Sequence, residues 1–296
     1  MVPDREDAMI ETSKRGKQSR SRPVRLQLAL LVAALAVAAV PVHAQTAAIV
    51  GAAADGAAQY AVIVNGDDSF THNYNVALAV SSLARLGYAP QNVLVLAPAA
   101  AAADEAAAAP ATWRRPATAQ GLRQALALLH QRMRHGDLLL VYLTGHGYRM
   151  FGRTSLELQD GSIGARELMG RLAELPFGKL ILIADQCYSG GFVNAAVALG
   201  RNVVAVSSAD DKHEARCEPF VRPLWLATQA AENDLDHDGF VSIEEAFGMA
   251  AKGLRQMGAG TGGDTPQYAA SGSCAGQQNH LSASGLPMLA AVALHP

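Results

Sequence analysis

The sequence predicts an α/β fold in which a mostly parallel sheet carries helices on both faces. Two observations lead there. Short runs that are apolar at successive positions alternate along the chain with helix-length segments, the pattern of strands buried on both sides and joined by crossover helices. Two of those runs, Leu-Leu-Leu-Val-Tyr-Leu-Thr at 138–144 and Lys-Leu-Ile-Leu-Ile-Ala at 179–184, are followed within three residues by a reactive side chain set among glycines, His146 and Cys187 respectively. In an open α/β sheet the carboxyl ends of the strands carry the chemistry. Forty-one positions separate the two residues, room for a crossover containing a helix, so that neighbouring strands about 4.8 Å apart would bring imidazole and thiol to one rim.

From the amino terminus, residues 1–44 read as an export signal. A basic segment at 14–25 precedes an apolar run at 26–40 and then Val42-His43-Ala44, the small-x-small pattern at which signal peptidase cuts. The run of 15 residues falls short of the roughly 20 that a bilayer span needs, so cleavage near Ala44 and release to the periplasm or medium is the expectation. The long acidic start also makes Met9 an alternative initiator.

Residues 45–59, rich in Ala and Gly, are expected to form a loose arm before a single domain over 60–280, with 281–296 as an apolar tail. The first strand is read at 60–66, followed by a polar loop, a helix over 75–86 that stops at Gly87, and a second strand at 92–96. Residues 97–117 are low-complexity, mostly Ala with three prolines, and carry Trp113-Arg114-Arg115; an exposed loop, either a tolerated insertion or a cleavage site, is expected there. A helix over 119–134 leads to the His146 strand, a small hairpin follows around 154–161, a helix over 165–175 leads to the Cys187 strand, and 202–206 supply a fifth strand.

The whole chain has a formal charge of −2; without the leader, 17 Lys and Arg stand against 22 Asp and Glu, a charge of −5. That leaves no basic footprint for nucleic acid, and no apolar run in the mature part is long enough to span a membrane. Three cysteines in an exported chain leave one thiol over. Cys187 is the odd one by its setting; Cys217 and Cys274 could pair, although three cysteines allow three pairings. Nothing in the sequence sets an oligomeric state.

Cysteine attacks as the thiolate, which a free thiol supplies only in small part at neutral pH. At a strand end, with Gly190 and Gly191 opening a turn toward a helix near Val193, backbone N–H groups point at the sulfur and at an oxyanion beside it. The glycines would also admit a substrate backbone. His146 is set to protonate a leaving amine as general acid, and the Gly147 and Cys187 amides are the natural oxyanion donors. Taken singly, a strand-end His is usually structural and a lone Cys usually a small buried hydrophobe; the matched pair argues for a Cys/His hydrolase.

Tyr-Leu-Thr-Gly-His-Gly followed by Asp-Gln-Cys-Tyr-Ser-Gly-Gly-Phe resembles the caspase-haemoglobinase clan of cysteine peptidases, most closely its legumain and glycosylphosphatidylinositol-transamidase branch. The resemblance extends over about 61–267 and includes the Pro266-Gln267 pair. It implies a three-layer caspase-like fold with a mostly parallel six-stranded sheet, a catalytic His–Cys dyad acting on peptide or protein substrates and, often, maturation by cleavage. In the legumain branch an acidic residue two before the nucleophile lies under the primary pocket, and Asp185 holds that place here; the arginine of that branch is replaced by Thr71. An uncompensated Asp185 implies cleavage after Lys or Arg, with Asn second. The alternative role for Asp185 is a structural acceptor for backbone N–H groups. The family resemblance makes Ser207, Ser208 and Asp210, after the fifth strand, a pocket wall.

A separate signal lies at 234–245. Asp234, Asp236, Asp238, Ser242 and Glu245 fall at places 1, 3, 5, 9 and 12 of a calcium loop, with the Phe240 carbonyl at place 7 and Gly239 at the sharp turn. A structural Ca2+ is expected; the plain alternative is a helix amino terminus neutralised by carboxylates. Gly258-x-Gly260-x-x-Gly263 matches a dinucleotide fingerprint by letter but follows a helix, and Gly272-Ser273-Cys274-Ala275-Gly276 imitates a nucleophile elbow with no apolar strand before it. The reading is an exported legumain-like cysteine endopeptidase, with a transpeptidase sharing the thioester, or an inactive calcium-binding module on a peptidase fold, as alternatives.

Overall fold

The computed structural model describes residues 56–98, 113–216, 219–256, 264–275, 279 and 281. The expected export signal, the cysteine at 217, the glycine-rich letters at 258–263 and all of the tail but Leu281 lie outside them. In chain order the elements are β1 (Gln59–Asn65), α1 (Phe70–Arg85), β2 (Val93–Leu96), β3 (Trp113–Arg115), α2 (Ala119–Arg132), β4 (Asp137–Thr144), β5 (Gly147–Met150), β6 (Arg153–Leu158), β7 (Gly161–Gly164), α3 (Ala165–Ala173), β8 (Phe177–Ala184), α4 (Gly190–Val197), β9 (Val203–Ser207), α5 (Val221–Ala227), α6 (Ile243–Gln256) and β10 (Gln267–Ser271).

The main sheet has the order β10-β9-β8-β4-β1-β2-β3, parallel throughout except for β10, which runs antiparallel to β9. Its strands are apolar on both faces because both are covered. Val62, Leu139, Val141 and Leu182 point into a core closed by α2, α3 and α4, whereas Ile63, Leu140, Tyr142 and Ile183 point into a second core closed by α1, α5 and α6. The period-two alternation that sorts them is the pleat itself, and each such side chain, fully buried, stabilises the fold by about 1.5–3 kcal/mol.

The α/β prediction with helices on both faces holds, with seven strands in place of six. Residues 113–115, expected in a loop, form the edge strand β3, in register with β2 from Leu94↔Trp113 to Leu96↔Arg115. It is three residues long and half exposed, so it lacks the apolar run by which an interior strand declares itself. Arg115 covers the Trp113 ring at 4.8 Å. The hairpin expected near 154–161 is a three-stranded antiparallel sheet, β5-β6-β7. Helix α1 starts at Phe70, five residues before its predicted start; its added first turn carries a buried polar residue, His72, whose polarity reads as loop. Helix α5 starts before Pro223, which the first turn accepts since its N–H has no intrahelical partner there.

Candidate active site

Strands β4 and β8 are parallel neighbours, in register from Leu138↔Lys179 to Leu143↔Ala184, and the Asp185 amide donates to the Leu143 carbonyl at 2.8 Å. His146 and Cys187 each lie three residues beyond the Leu143↔Ala184 pair, at the carboxyl ends of adjacent strands. The two exits touch: a Cβ on Gly147 would sit 2.3 Å from the Cys187 carbonyl oxygen, so only glycine fits there. Gly145 makes the turn out of β4 with φ +114°, in the left-handed region that glycine enters freely.

The Glu157 amide donates to the His146 carbonyl at 2.9 Å, and Gly147 faces Leu156 across the β5–β6 pair. That bond makes Gly147–Leu156 a non-hydrogen-bonded pair, which leaves the Gly147 N–H outside the ladder. An oxyanion donor needs that freedom.

Two residues that the sequence left uninterpreted complete the surroundings of His146. Asp67 lies in the loop after β1; its Oδ2 receives the Ser69 amide at 3.2 Å and sits 2.5 Å from His72 Nδ1, while its Oδ1 lies 3.7 Å from His146 Nε2. His72 is buried and meets His146 edge to face, ring centroids 5.6 Å apart. Burial pushes the Asp67 carboxyl up, but hydrogen bonds from Ser69 and His72 outweigh it and leave it below the usual carboxylate range. Loop polarity at the carboxyl end of a strand was the available signal.

Cys187 is a half-buried free thiol whose Sγ donates to the Ala215 carbonyl at 3.6 Å. Burial raises its pKa, and the Glu214 carboxylate adds to that. Tyr188 follows with φ +59° and donates its N–H to the His213 carbonyl at 2.9 Å, and its hydroxyl reaches Glu214 Oε1 at 3.3 Å. Residues 213–215 thus lie against the loop that carries Cys187.

The glycines after Cys187 serve a different purpose from the one expected. A Cβ on Gly190 would meet the Asp210 carbonyl carbon at 2.7 Å, and one on Gly191 the Thr154 hydroxyl oxygen at 2.1 Å. The space is filled by the chain's own residues, not reserved for a substrate backbone.

Asp185 is fully buried. Its Oδ2 accepts from Asn75 (3.1 Å), Tyr142 (3.0 Å) and Thr144 (2.9 Å), and its Oδ1 from Ser208 Oγ (3.0 Å). The donors are side chains where backbone N–H groups were expected. Asn75 Oδ1 in turn accepts from Arg222 Nε at 2.9 Å. Burial pushes the Asp185 carboxyl up to about 7 against the pull of these bonds. Ser207 is also buried, its hydroxyl on the Ala209 carbonyl, and Asp210 faces His213, with Nδ1 2.8 Å from its carboxylate. A cleft of about 570 Å³ opens between Asp210, Asp264, Gln267 and α6.

No protein-family profile matches the chain. Metacaspase-4 of Arabidopsis thaliana is 26% identical over 172 residues, 53% of this chain and 38% of the metacaspase. This is a distant likeness to the caspase-like clan. The chain thus matches well under half the length of that curated relative, and the likeness does not reach the legumain branch in particular. Among solved structures, a Geobacter sulfurreducens protein is 14% identical, covers 76% of this chain and the whole of its own, and superposes with a TM-score of 0.46.

Of the calcium-loop residues, the fold gathers Asp234, Asp236 and Glu245, with one carboxylate oxygen from each within 4.8 Å of the others. Asp234 also receives the Asp238 and Gly239 amides, and Asp238 Oδ1 receives the Phe240 amide at 2.9 Å. Ser242 donates its hydroxyl to Glu245 Oε2, and Gly239 takes φ +96°. Converging hard oxygens on a tight loop fit Ca2+ by donor type. Cys274, the other described cysteine, is a buried free thiol in a 3-10 turn. It follows the strand β10, which the sequence had not suggested.

Among the described residues no helix is long and apolar enough to cross a membrane.

Proposed function

We propose that this chain is an exported cysteine endopeptidase of legumain-like type, with Cys187 as nucleophile and His146 as acid and base. The observation that supports it most is the level placement of the two residues beyond β4 and β8, with Gly147 against the Cys187 carbonyl. The distant metacaspase likeness points the same way. The Cys187 thiol gives its proton to His146 as the sulfur attacks the scissile carbonyl. The oxyanion is met by the Gly147 and Cys187 amides; His146 then protonates the leaving amine, and a thioester to Cys187 remains. Water, or an amine in a transpeptidase, takes the acyl group.

In this reading the substrate presents Lys or Arg, with Asn second, before the scissile bond. Its cation would approach Asp185 by displacing the Ser208 hydroxyl, which now covers Oδ1, and Asp210 would lend charge at the wall. The loop at 234–245 holds Ca2+ through Asp234, Asp236, Asp238, Ser242, Glu245 and the Phe240 carbonyl, as a clamp between α5 and α6 outside the chemistry.

The test is a fluorogenic peptide library with wild type and Cys187→Ser. Basic peptides should be cleaved by wild type alone. A preference for apolar side chains at the cleaved position rules out the Asp185 assignment, and product that rises with added amine marks the transpeptidase. A second reading, a calcium-binding module without turnover, is favoured by the raised thiol pKa and its bond to Ala215; it predicts no cleavage of any peptide.

A further inference from the structure

Resting on the Cys/His reading above, we propose that Asp67 is the positioning residue for His146, and that His72 holds Asp67 in place from behind.

The Asp67 side chain is only 15% exposed, and its own amide is tied to Asn65 Oδ1 at 3.0 Å. The backbone beside it is closely packed: a Cβ on Gly66 would lie 2.0 Å from the Glu157 carbonyl oxygen. Oδ2 is engaged by Ser69 N–H and His72 Nδ1. These contacts fix the carboxylate plane and leave Oδ1 directed at His146 Nε2, 3.7 Å away.

The consequence for His146 follows from imidazole chemistry. An acceptor at Nε2 selects the tautomer with its proton there, which leaves the lone pair on Nδ1 to exchange a proton with sulfur or leaving amine. When Nδ1 gains that proton, the carboxylate stabilises the imidazolium. At 3.7 Å the contact is too long for a hydrogen bond and becomes an ion pair only when the imidazole carries its second proton; such contacts in free enzymes commonly shorten once substrate is bound. The His146 ring is 64% exposed, and the His72 edge backs it on one face, so without Asp67 little holds it in one orientation. Among the described residues, the Glu214 and Asp185 carboxylates also bear on the Cys187 thiol.

The test reads the thiol directly and does not depend on turnover. Iodoacetamide modification of Cys187, followed by peptide mass mapping on the full chain, is measured from pH 5.5 to 9.5 for wild type, Asp67→Asn, Asp67→Glu, His146→Ala and the double variant Asp67→Asn/His146→Ala. Folding of each is checked by thermal melting. Wild type should react at pH 6 about tenfold faster than Asp67→Asn, and equally at pH 9.5, where the thiol ionises without help. Asp67→Glu should recover part of the pH 6 rate, and the double variant should match His146→Ala alone. Equal rates for wild type and Asp67→Asn at every pH overturn the proposal, as does a loss in Asp67→Asn that is the same at pH 6 and pH 9.5. A wild-type rate at pH 6 no faster than that of His146→Ala overturns it too, but by removing the dyad itself and not only Asp67's part in it.

Discussion

Gly147 and Cys187 meet backbone to backbone: the place where a methyl group would stand on Gly147 is 2.3 Å from the Cys187 carbonyl oxygen, and 2.6 Å from Gln186 Cγ. The glutamine can swing away; the peptide cannot. Gly147→Ala should therefore cost about 1–3 kcal/mol of stability by overpacking. It should also lower kcat/KM by about 100-fold through a shift of the Gly147 amide. Urea denaturation and peptide hydrolysis check the two effects. An alanine variant with wild-type midpoint and rate would mean that the two strand exits do not abut.

Asp185 gives a stability signature in pH. Its carboxyl ionises near 3.9 in an unfolded chain but is pushed up to about 7 by burial in the folded one. The folded state therefore holds the proton more tightly. The stabilisation this provides is complete below about pH 4 and is lost as pH rises through about 7. Asp185→Asn should flatten that dependence, so that the wild type loses ground to the variant between pH 4 and 8 by up to about 4 kcal/mol. Urea midpoints across that range measure it, and parallel curves for the two proteins would contradict the buried carboxyl.

Cys187 should respond to its neighbour across the loop. Burial raises the thiol pKa first, and Glu214 adds a like charge. Since Glu214 is exposed, solvent screens it, and Glu214→Gln should speed alkylation of Cys187 at pH 7 by only about two- to threefold, and less at high salt. No change at low ionic strength would place the carboxylate away from the sulfur.

The loop at 234–245 makes a calorimetric prediction. With Ca2+ at about 100 times its dissociation constant, the melting temperature should rise by about 5–10 °C, and Glu245→Gln should abolish the rise. Mg2+ should not replace it, being too small for such a loop. Equal melting in CaCl2 and in NaCl of matched ionic strength would leave the three carboxylates as a solvated cluster.

What could be read from the letters alone was the part written in apolar runs. The strands leading to His146 and Cys187 are built mainly of Leu, Val and Ile, and the sheet follows from them. Asp67 escaped because it meets His146 only through the pairing of β1 with β4, which brings Asn65 beside Thr144; no periodicity in a single chain records which strands are neighbours. His72 was hidden by polarity, which reads as loop although the ring is buried. Asp185 was recognised by its place before Cys187, but its four side-chain donors come from Asn75, Tyr142, Thr144 and Ser208, positions scattered over helix α1, strand β4 and the residue after β9.

The edge strand β3 has a bearing on how the protein behaves in crowded solution. A bare sheet margin is a template on which a foreign strand can dock and seed fibres. Here that margin is three residues long and carries two arginines, one of them folded over the tryptophan. Brevity limits the hydrogen bonds an intruder could make, and fixed positive charge repels a second copy brought edge to edge. Among the described residues, β3 is thus a guard against self-association at the end of the sheet remote from Cys187.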